Sequence, residues 1–162
     1  MRRGAWLRVT AVACAVLILW GNDWLRARGN LAELYIHAFD ALITEDQSLN
    51  HAMEYIAVET QGLQGLDADG IQRVLDYFRQ EYRIDVLDAG FEDLKNQQRY
   101  SAESGVFDGI LLRVHSARIW AGVMVKMEVS KYRAPLGARG MYFTAWYFGG
   151  KWRVRSSGSW VS

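Results

Sequence analysis

One proline, one cysteine and three histidines are all that 162 residues contain of the types that most often break a chain, bridge it or bind metal. The lone proline, Pro135, excludes a long proline-rich linker. The lone cysteine, Cys14, lies in an N-terminal apolar run, so the rest of the chain has no intramolecular disulfide and no cysteine-held metal. There is no phosphate-binding glycine loop and no Gly-x-Ser-x-Gly nucleophile turn. The Gly-Ala-Arg-Gly run at 137–140 lies between strand patterns, not ahead of a helix, which excludes a dinucleotide turn. Asp67, Asp69 and Gly70 imitate the start of a calcium loop, but Ile71, Gln72 and Arg73 follow and no glutamate closes the loop. Helix capping accounts for Asp69 instead. Glu33 with His37, and His51 with Glu54, have helical spacing, yet no second pair completes a metal site. No cofactor and no metal is implied, and no catalytic residue stands out.

What the chain has is apolar and unevenly charged. Hydrophobic residues make up 51% and aromatics 13%, which supports a packed core and excludes a disordered chain. The net charge of +1 hides a division. Residues 1–29 carry five Lys/Arg against one Asp, a net +4. Residues 30–98 carry four against fourteen Asp/Glu, a net −10, and residues 99–162 carry ten against three, a net +7. Either the two halves cancel where they pack, or a basic face is left for an anionic partner.

Arg2, Arg3 and Arg8 precede an apolar run over residues 9–20. That run is short of the ~20 residues that cross a bilayer as a helix. Extended over residues 5–25 it reaches full length by including Arg8, Asn22 and Asp23. Arg8 can snorkel to the cytoplasmic interface, and Trp6, Trp20 and Trp24 suit interfacial belts. The flanking charge predicts that residues 1–29 anchor the chain in the cytoplasmic membrane with residues 30–162 outside. The alternative is secretion after cleavage near residues 27–29.

The predicted fold class is α+β: N-terminal helices packed on a mainly antiparallel, curved sheet that ends in a four-stranded meander. Asn30 and Glu33 resemble a capping box, and Leu31, Leu34, Tyr35, Ala38 and Leu42 follow at helical spacing. Thr44 opens a short helix through about residue 50. Residues 53–60 read as a strand. Asp69 caps a helix over 70–82 with a stripe of Ile71, Val74, Leu75 and Phe78, and residues 84–87 are a second strand, which together suggest a βαβ crossover. Residues 91–98 form a short helix and 99–108 a polar loop. From 109 onward the period is two. Ile110, Leu112 and Val114 oppose Arg113 and His115; Val123, Val125, Met127 and Val129 oppose Lys126, Glu128 and Ser130; Trp152 and Val154 oppose Arg153 and Arg155. The third strand carries Met141, Phe143, Ala145 and Tyr147 on one side but also Tyr142, Trp146 and Phe148 on the other. It is therefore covered on both faces, or its outer aromatics line something. Ala121 and Gly122 turn the first hairpin, and Gly149 and Gly150 the last.

Two groups of residues are candidate sites. Lys131, Tyr132, Arg133 and Arg139 gather around a Pro/Gly turn, where arginine forks suit carboxylate or phosphate groups. Arg113, Lys126, Arg153 and Arg155 extend a basic stripe across the wet face. Tyr142, Trp146 and Trp152 are the candidate lining of a small-molecule pocket between helices and sheet.

The segment at 130–140, reading Ser-Lys-Tyr-Arg-Ala-Pro-Leu-Gly-Ala-Arg-Gly, and the ending at 150–162 resemble a family of small membrane-anchored or exported proteins of Gram-positive bacteria. Leu-Ala-Glu-Leu-Tyr at 31–35, Met-Glu-Tyr-Ile-Ala-Val at 53–58 and Asp-Gly-Ile-Leu-Leu at 108–112 fit the same pattern, so the resemblance covers most of residues 30–162. The family's turn reads Ser-Lys-Tyr-Arg-Ser-Gly-Leu-Gly-Ala; Ala134 and Pro135 stand here in place of Ser-Gly and stiffen it. Some members carry a label of peptide-transporter binding component, but residues 30–162 are too short for a two-lobed binding protein. Helices followed by a curved sheet also loosely resemble the NTF2-like or cystatin-like class, which implies a fold and not a function. The expected function is a non-enzymatic binding or interaction module at the cell envelope. Its expected partners are an anionic envelope polymer, lipid headgroups or an envelope protein, and not nucleic acid. The alternative is a small-molecule pocket, with or without catalysis, between helices and sheet.

Overall fold

A computed structural model of the chain describes residue 27 and residues 30–45, 47–101 and 105–162. In chain order its elements are α1 (Leu31–Glu45), a 3₁₀ turn (Gln47–Asn50), β1 (Tyr55–Val58), a second 3₁₀ turn (Thr60–Gly62), α2 (Ala68–Tyr82), β2 (Asp85–Asp88), α3 (Phe91–Asn96), β3 (Tyr100–Ser101), β4 (Val106–Phe107), β5 (Ile110–Trp120), β6 (Met124–Ala134), β7 (Gly137–Phe148) and β8 (Lys151–Val161). The fold is α+β. One six-stranded sheet runs β2-β1-β5-β6-β7-β8. Its first two pairings, β2 with β1 and β1 with β5, are parallel, and the remaining three are antiparallel. The sheet is thus mixed, with the expected meander as its larger part. β1, α2 and β2 form the expected crossover. The expected anchor over residues 5–25 lies outside the described residues, among which no helix is long and apolar enough to cross a membrane.

The helical stripe and the strand alternation meet in one core. α1 buries Leu31, Leu34, Tyr35, Ala38, Phe39, Leu42 and Ile43, and α2 buries Val74, Leu75 and Phe78. These pack on Ile110, Leu112, Val114, Val125, Met127, Val129, Met141, Phe143 and Ala145 from the sheet. Phe78 stacks against Tyr82 and meets Phe39 at a tilt. The cap of α2 sits two residues earlier than expected. Asp67 is extended and accepts from Gly70 N at 2.8 Å, while Asp69 lies inside the first turn, where its charge suits the helix dipole. Thr44 opens no new helix; it lies in the last turn of α1, its hydroxyl donating to Asp40 and Ala41 carbonyls. The expected loop at 99–108 contains the small β3–β4 hairpin. With α3 it covers the second face of the sheet at one end only, burying Tyr55, Ala57, Leu94, Phe107 and Leu111.

Burial of phenols gives the fold a pH dependence. The Tyr35 hydroxyl donates to Gln64 O at 3.0 Å, and burial pushes this phenol up to about 12. Tyr82, donating to Asp40 at 2.6 Å, is also raised, first by burial and then by the carboxylate it touches. An unfolded chain ionises such groups near ~10. Above that pH the folded state keeps protons that the unfolded state has lost, so stability is complete below about pH 10 and falls as pH rises toward the folded value. Tyr35→Phe is expected to shallow this alkaline decline in a pH series of urea unfolding curves. Parallel declines for the two proteins would refute it.

Candidate functional site

The basic residues of the expected 131–139 loop do not lie on a loop. β6 runs to Ala134 and β7 begins at Gly137, so Pro135 and Leu136 alone form the turn. Lys131 continues the inward row of Val125, Met127 and Val129 and is fully buried, its Nζ donating to Asn50 Oδ1 at 2.9 Å. Arg139, its cross-strand partner, pairs with Glu45 at the end of α1. Arg133 donates to the carbonyls of Leu49, His51 and Phe107. Tyr132 points to the other face and packs edge-on against Phe91 and Phe107. The cause is local. The last turn of α1 has no basic residue, and the orphan carbonyls at a helix end need donors. Asn50 supplies one by donating to Ile43 O, and the sheet supplies the cations. Lys131, Arg133 and Arg139 thus clasp Glu45 and residues 49–51 onto β6 and β7.

Tyr142, Trp146 and Trp152 do not line one space either. Trp152 faces α1, its indole donating to Asn30 O at 3.0 Å and lying edge-on to Tyr147. Tyr142 and Trp146 stand exposed on the opposite face. Side chains from α1, α2 and the inward rows pack between helices and sheet, and a depression of 190 Å³ lies at the edge of that layer, between Glu33, Leu34 and His37 of α1 and Trp152 of β8.

That opposite face is open over most of β5–β8, and the ladder arranges it in rows. Trp120, Met124, Trp146 and Arg153 form the first row; Arg118, Lys126, Thr144 and Arg155 the second; Ser116, Glu128, Tyr142 and Gly158 the third. Arg118 joins this face through a bulge at His115, which shifts the register between Val114 and Ser116 and reverses the alternation beyond it. The sequence reading missed Arg118 for that reason: unbroken alternation from Val114 would place it among the core residues. A depression of 380 Å³ covers the second and third rows. Among the described residues, ion pairs join Arg79, Lys95, Arg113 and Arg139 to carboxylates. None reaches Arg118, Lys126, Arg153 or Arg155, whose side chains are exposed. Lys126 Nζ lies 5.9 Å from the Trp120 ring centre, a cation–π contact. The one carboxylate in the rows, Glu128, is held by Trp160 Nε1 at 3.0 Å.

A second depression of 320 Å³ adjoins this face beside α3. Trp160 and Phe91 wall it, and His115 Nε2 lies 2.7 Å from Ser130 Oγ at its floor. Trp160 lies flush on Gly140, where a Cβ would come within 2.1 Å of the indole. The serine–histidine contact resembles a nucleophile with its base, but among the described residues no carboxylate touches His115 to orient it. Ser130 also sits mid-strand, where backbone N–H groups serve the ladder and not a developing oxyanion. Arg113 at the rim is forked onto Glu59. Among the described residues no group of three His, Cys, Asp or Glu side chains could hold a metal ion.

Searches against family models, curated proteins and solved structures each return no match. The site therefore rests on its own geometry.

Proposed function

We propose that this chain is a membrane-tethered, extracytoplasmic binding module without catalytic activity, and that the open face of its sheet takes an anionic polymer of the cell envelope. The second row carries the reading: Arg118 and Lys126 are neighbours, Arg155 follows across Thr144, and no carboxylate among the described residues is within ion-pair distance of them, while Arg113 and Arg139 are paired. A regular ladder repeats its side chains about every 7 Å along each strand and about 4.8 Å across strands, a spacing that suits a polymer of repeating charges better than one small anion. Tyr142 flanks the row and offers a ring against which a sugar unit stacks. The tether and the outside location rest on the flanking charge of residues 1–29 and on the resemblance to exported proteins.

The test is retention of the full chain, in detergent micelles, on immobilised polyglycerol phosphate with neutral dextran as control. A cation near an anionic surface contributes about 1 kcal/mol, so Arg118→Ala, Lys126→Ala and Arg155→Ala together are expected to weaken binding about a hundredfold. Salt is expected to weaken the parent protein in the same direction, because exposed charges are screened within about 10 Å. Unchanged retention of the triple variant would sink the proposal.

A further inference from the structure

The two hairpin turns at one end of the sheet sit side by side. Tyr147 N donates to Val123 O at 2.8 Å, which ties the Ala121 and Gly122 turn to the Gly149 and Gly150 turn. Around them Trp120, Trp146 and Phe148 are 40%, 43% and 74% exposed. Lys126, Lys151 and Arg153 stand among these rings, and all three are exposed. A Cβ on Gly149 or Gly150 would meet nothing within 4 Å, so this tip projects from the body of the domain.

The same end receives the chain from its N-terminal segment. Asn30 Nδ2 donates to the Tyr147 hydroxyl at 3.1 Å, and Trp152 Nε1 donates to Asn30 O at 3.0 Å. Tyr147 and Trp152 form the second rung from the β7–β8 turn, after Phe148 and Lys151. Residue 30 is thus pinned beside the exposed aromatics, and not at the Pro135 end of the sheet. Residues 21–29 alone separate Asn30 from the apolar run at 9–20. Even fully extended, such a connection spans about 30 Å. The strands of the meander, at 11 or 12 residues, are about 35–40 Å long. The tip lies within that reach however the connection runs.

We infer that the two hairpin tips rest on the anionic bilayer that holds residues 5–25, so that the domain stands on end with its Pro135 turn pointing away. This rests on the tethered reading proposed above. Indole and phenyl rings suit the headgroup level of a bilayer, and the interleaved Lys126, Lys151 and Arg153 match anionic lipid. At the opposite end Leu136 and Val161 are exposed, but among the described residues no aromatic ring is exposed beside them, and Arg133 and Arg139 are engaged with Leu49, His51 and Glu45.

The experiment uses the full chain in a Cys14→Ser background, reconstituted into vesicles of phosphatidylcholine and phosphatidylglycerol. A fluorophore is attached at Ala121→Cys near the tip or at Leu136→Cys at the far end, and nitroxide headgroup lipid is the quencher. Quenching about fivefold stronger at position 121 than at 136 is expected, as for a group at headgroup level against one held well clear of it. Trp120→Ser, Trp146→Ser and Phe148→Ser together are expected to cut quenching at 121 about threefold. Phe148→Ser alone, at the most exposed of the three, gives a variant whose core is untouched and is expected to move quenching the same way. Equal quenching at both labels, or none at either while the chain sediments with the vesicles, overturns the docked tip and leaves the tether standing. Strong quenching at 121 that neither variant reduces also overturns it. A chain that does not sediment with vesicles refutes the tether itself, and the docked tip with it.

Discussion

Gly109→Ala is expected to lower the stability of the domain by about 3 kcal/mol, at the top of the range for overpacking a filled site. Gly109 stands immediately before β5, against β1. A Cβ there would fall 2.3 Å from the Tyr55 carbonyl oxygen and 2.5 Å from its ring. Neither obstacle can give way. Tyr55 begins a fully buried strand held between β2 and β5, and its hydroxyl donates to Arg99 O. Overpacking is absorbed cheaply only where the neighbour is the free end of a flexible side chain. At about 2–4 °C per kcal/mol for a chain of this size, the midpoint of thermal unfolding is expected to fall by about 6–12 °C. Gly149→Ala is the contrast, since its cost is confined to a φ of +61° in open space. A Gly109→Ala protein as stable as its parent would mean that β1 and β5 are not in the register that pairs Ile56 with Ile110.

Arg133→Ala is expected to separate folding from binding. The guanidinium serves the carbonyls of Leu49, His51 and Phe107, so its removal strands three acceptors at once. Losing a donor to a partly buried acceptor costs about 1–3 kcal/mol, and two of the three here are partly buried while His51 O can turn to water, so a loss of about 3 kcal/mol is expected in urea unfolding. Retention on polyglycerol phosphate is expected to stay at the parent level. Arg133→Lys is not expected to rescue stability, because one ammonium cannot replace a planar fork that donates in two directions. The triple variant at Arg118, Lys126 and Arg155 is expected to show the reverse: folding intact, retention lost. Stability kept with retention lost in Arg133→Ala would return the 131–139 cations to the ligand site.

These contrasts mark where the sequence was legible. Alternation told which way Ile110, Leu112, Val125, Met127, Phe143 and Val154 point, because a strand with one buried face must repeat every second residue. The stripe of Val74, Leu75 and Phe78 was legible for the matching helical reason. The turns at Ala121 with Gly122 and at Gly149 with Gly150 were legible because positive φ is needed there. Lys131 was not. Its place in the alternation points inward, but its charge points outward, and Asn50 lies 81 residues away. The bulge at His115 has no local signal either, yet it carries Arg118 to the open face. Tyr142, Trp146 and Phe148 read as covered or as lining something, and they stand exposed because α3 and the β3–β4 hairpin cover only the end of the sheet near Leu111 and Tyr132.

The contacts that secure α1 also set an order of events during synthesis. Glu45 waits for Arg139 across 94 residues, and Asn30 waits for Tyr147 and Trp152 across 117 and 122. At ~5–20 residues per second the ribosome needs about 5–20 seconds to travel from the end of α1 to Trp152. Until β5, β6 and β7 follow, Leu31, Leu34, Tyr35, Phe39 and Leu42 lack the strands they lie on. Contacts this distant in sequence also slow folding once the chain is complete, since the loop must close before the contact forms. The first helix of the folded domain is among the last parts to be fastened, and until β6 and β7 arrive its apolar side is the surface of the nascent domain most in need of shelter.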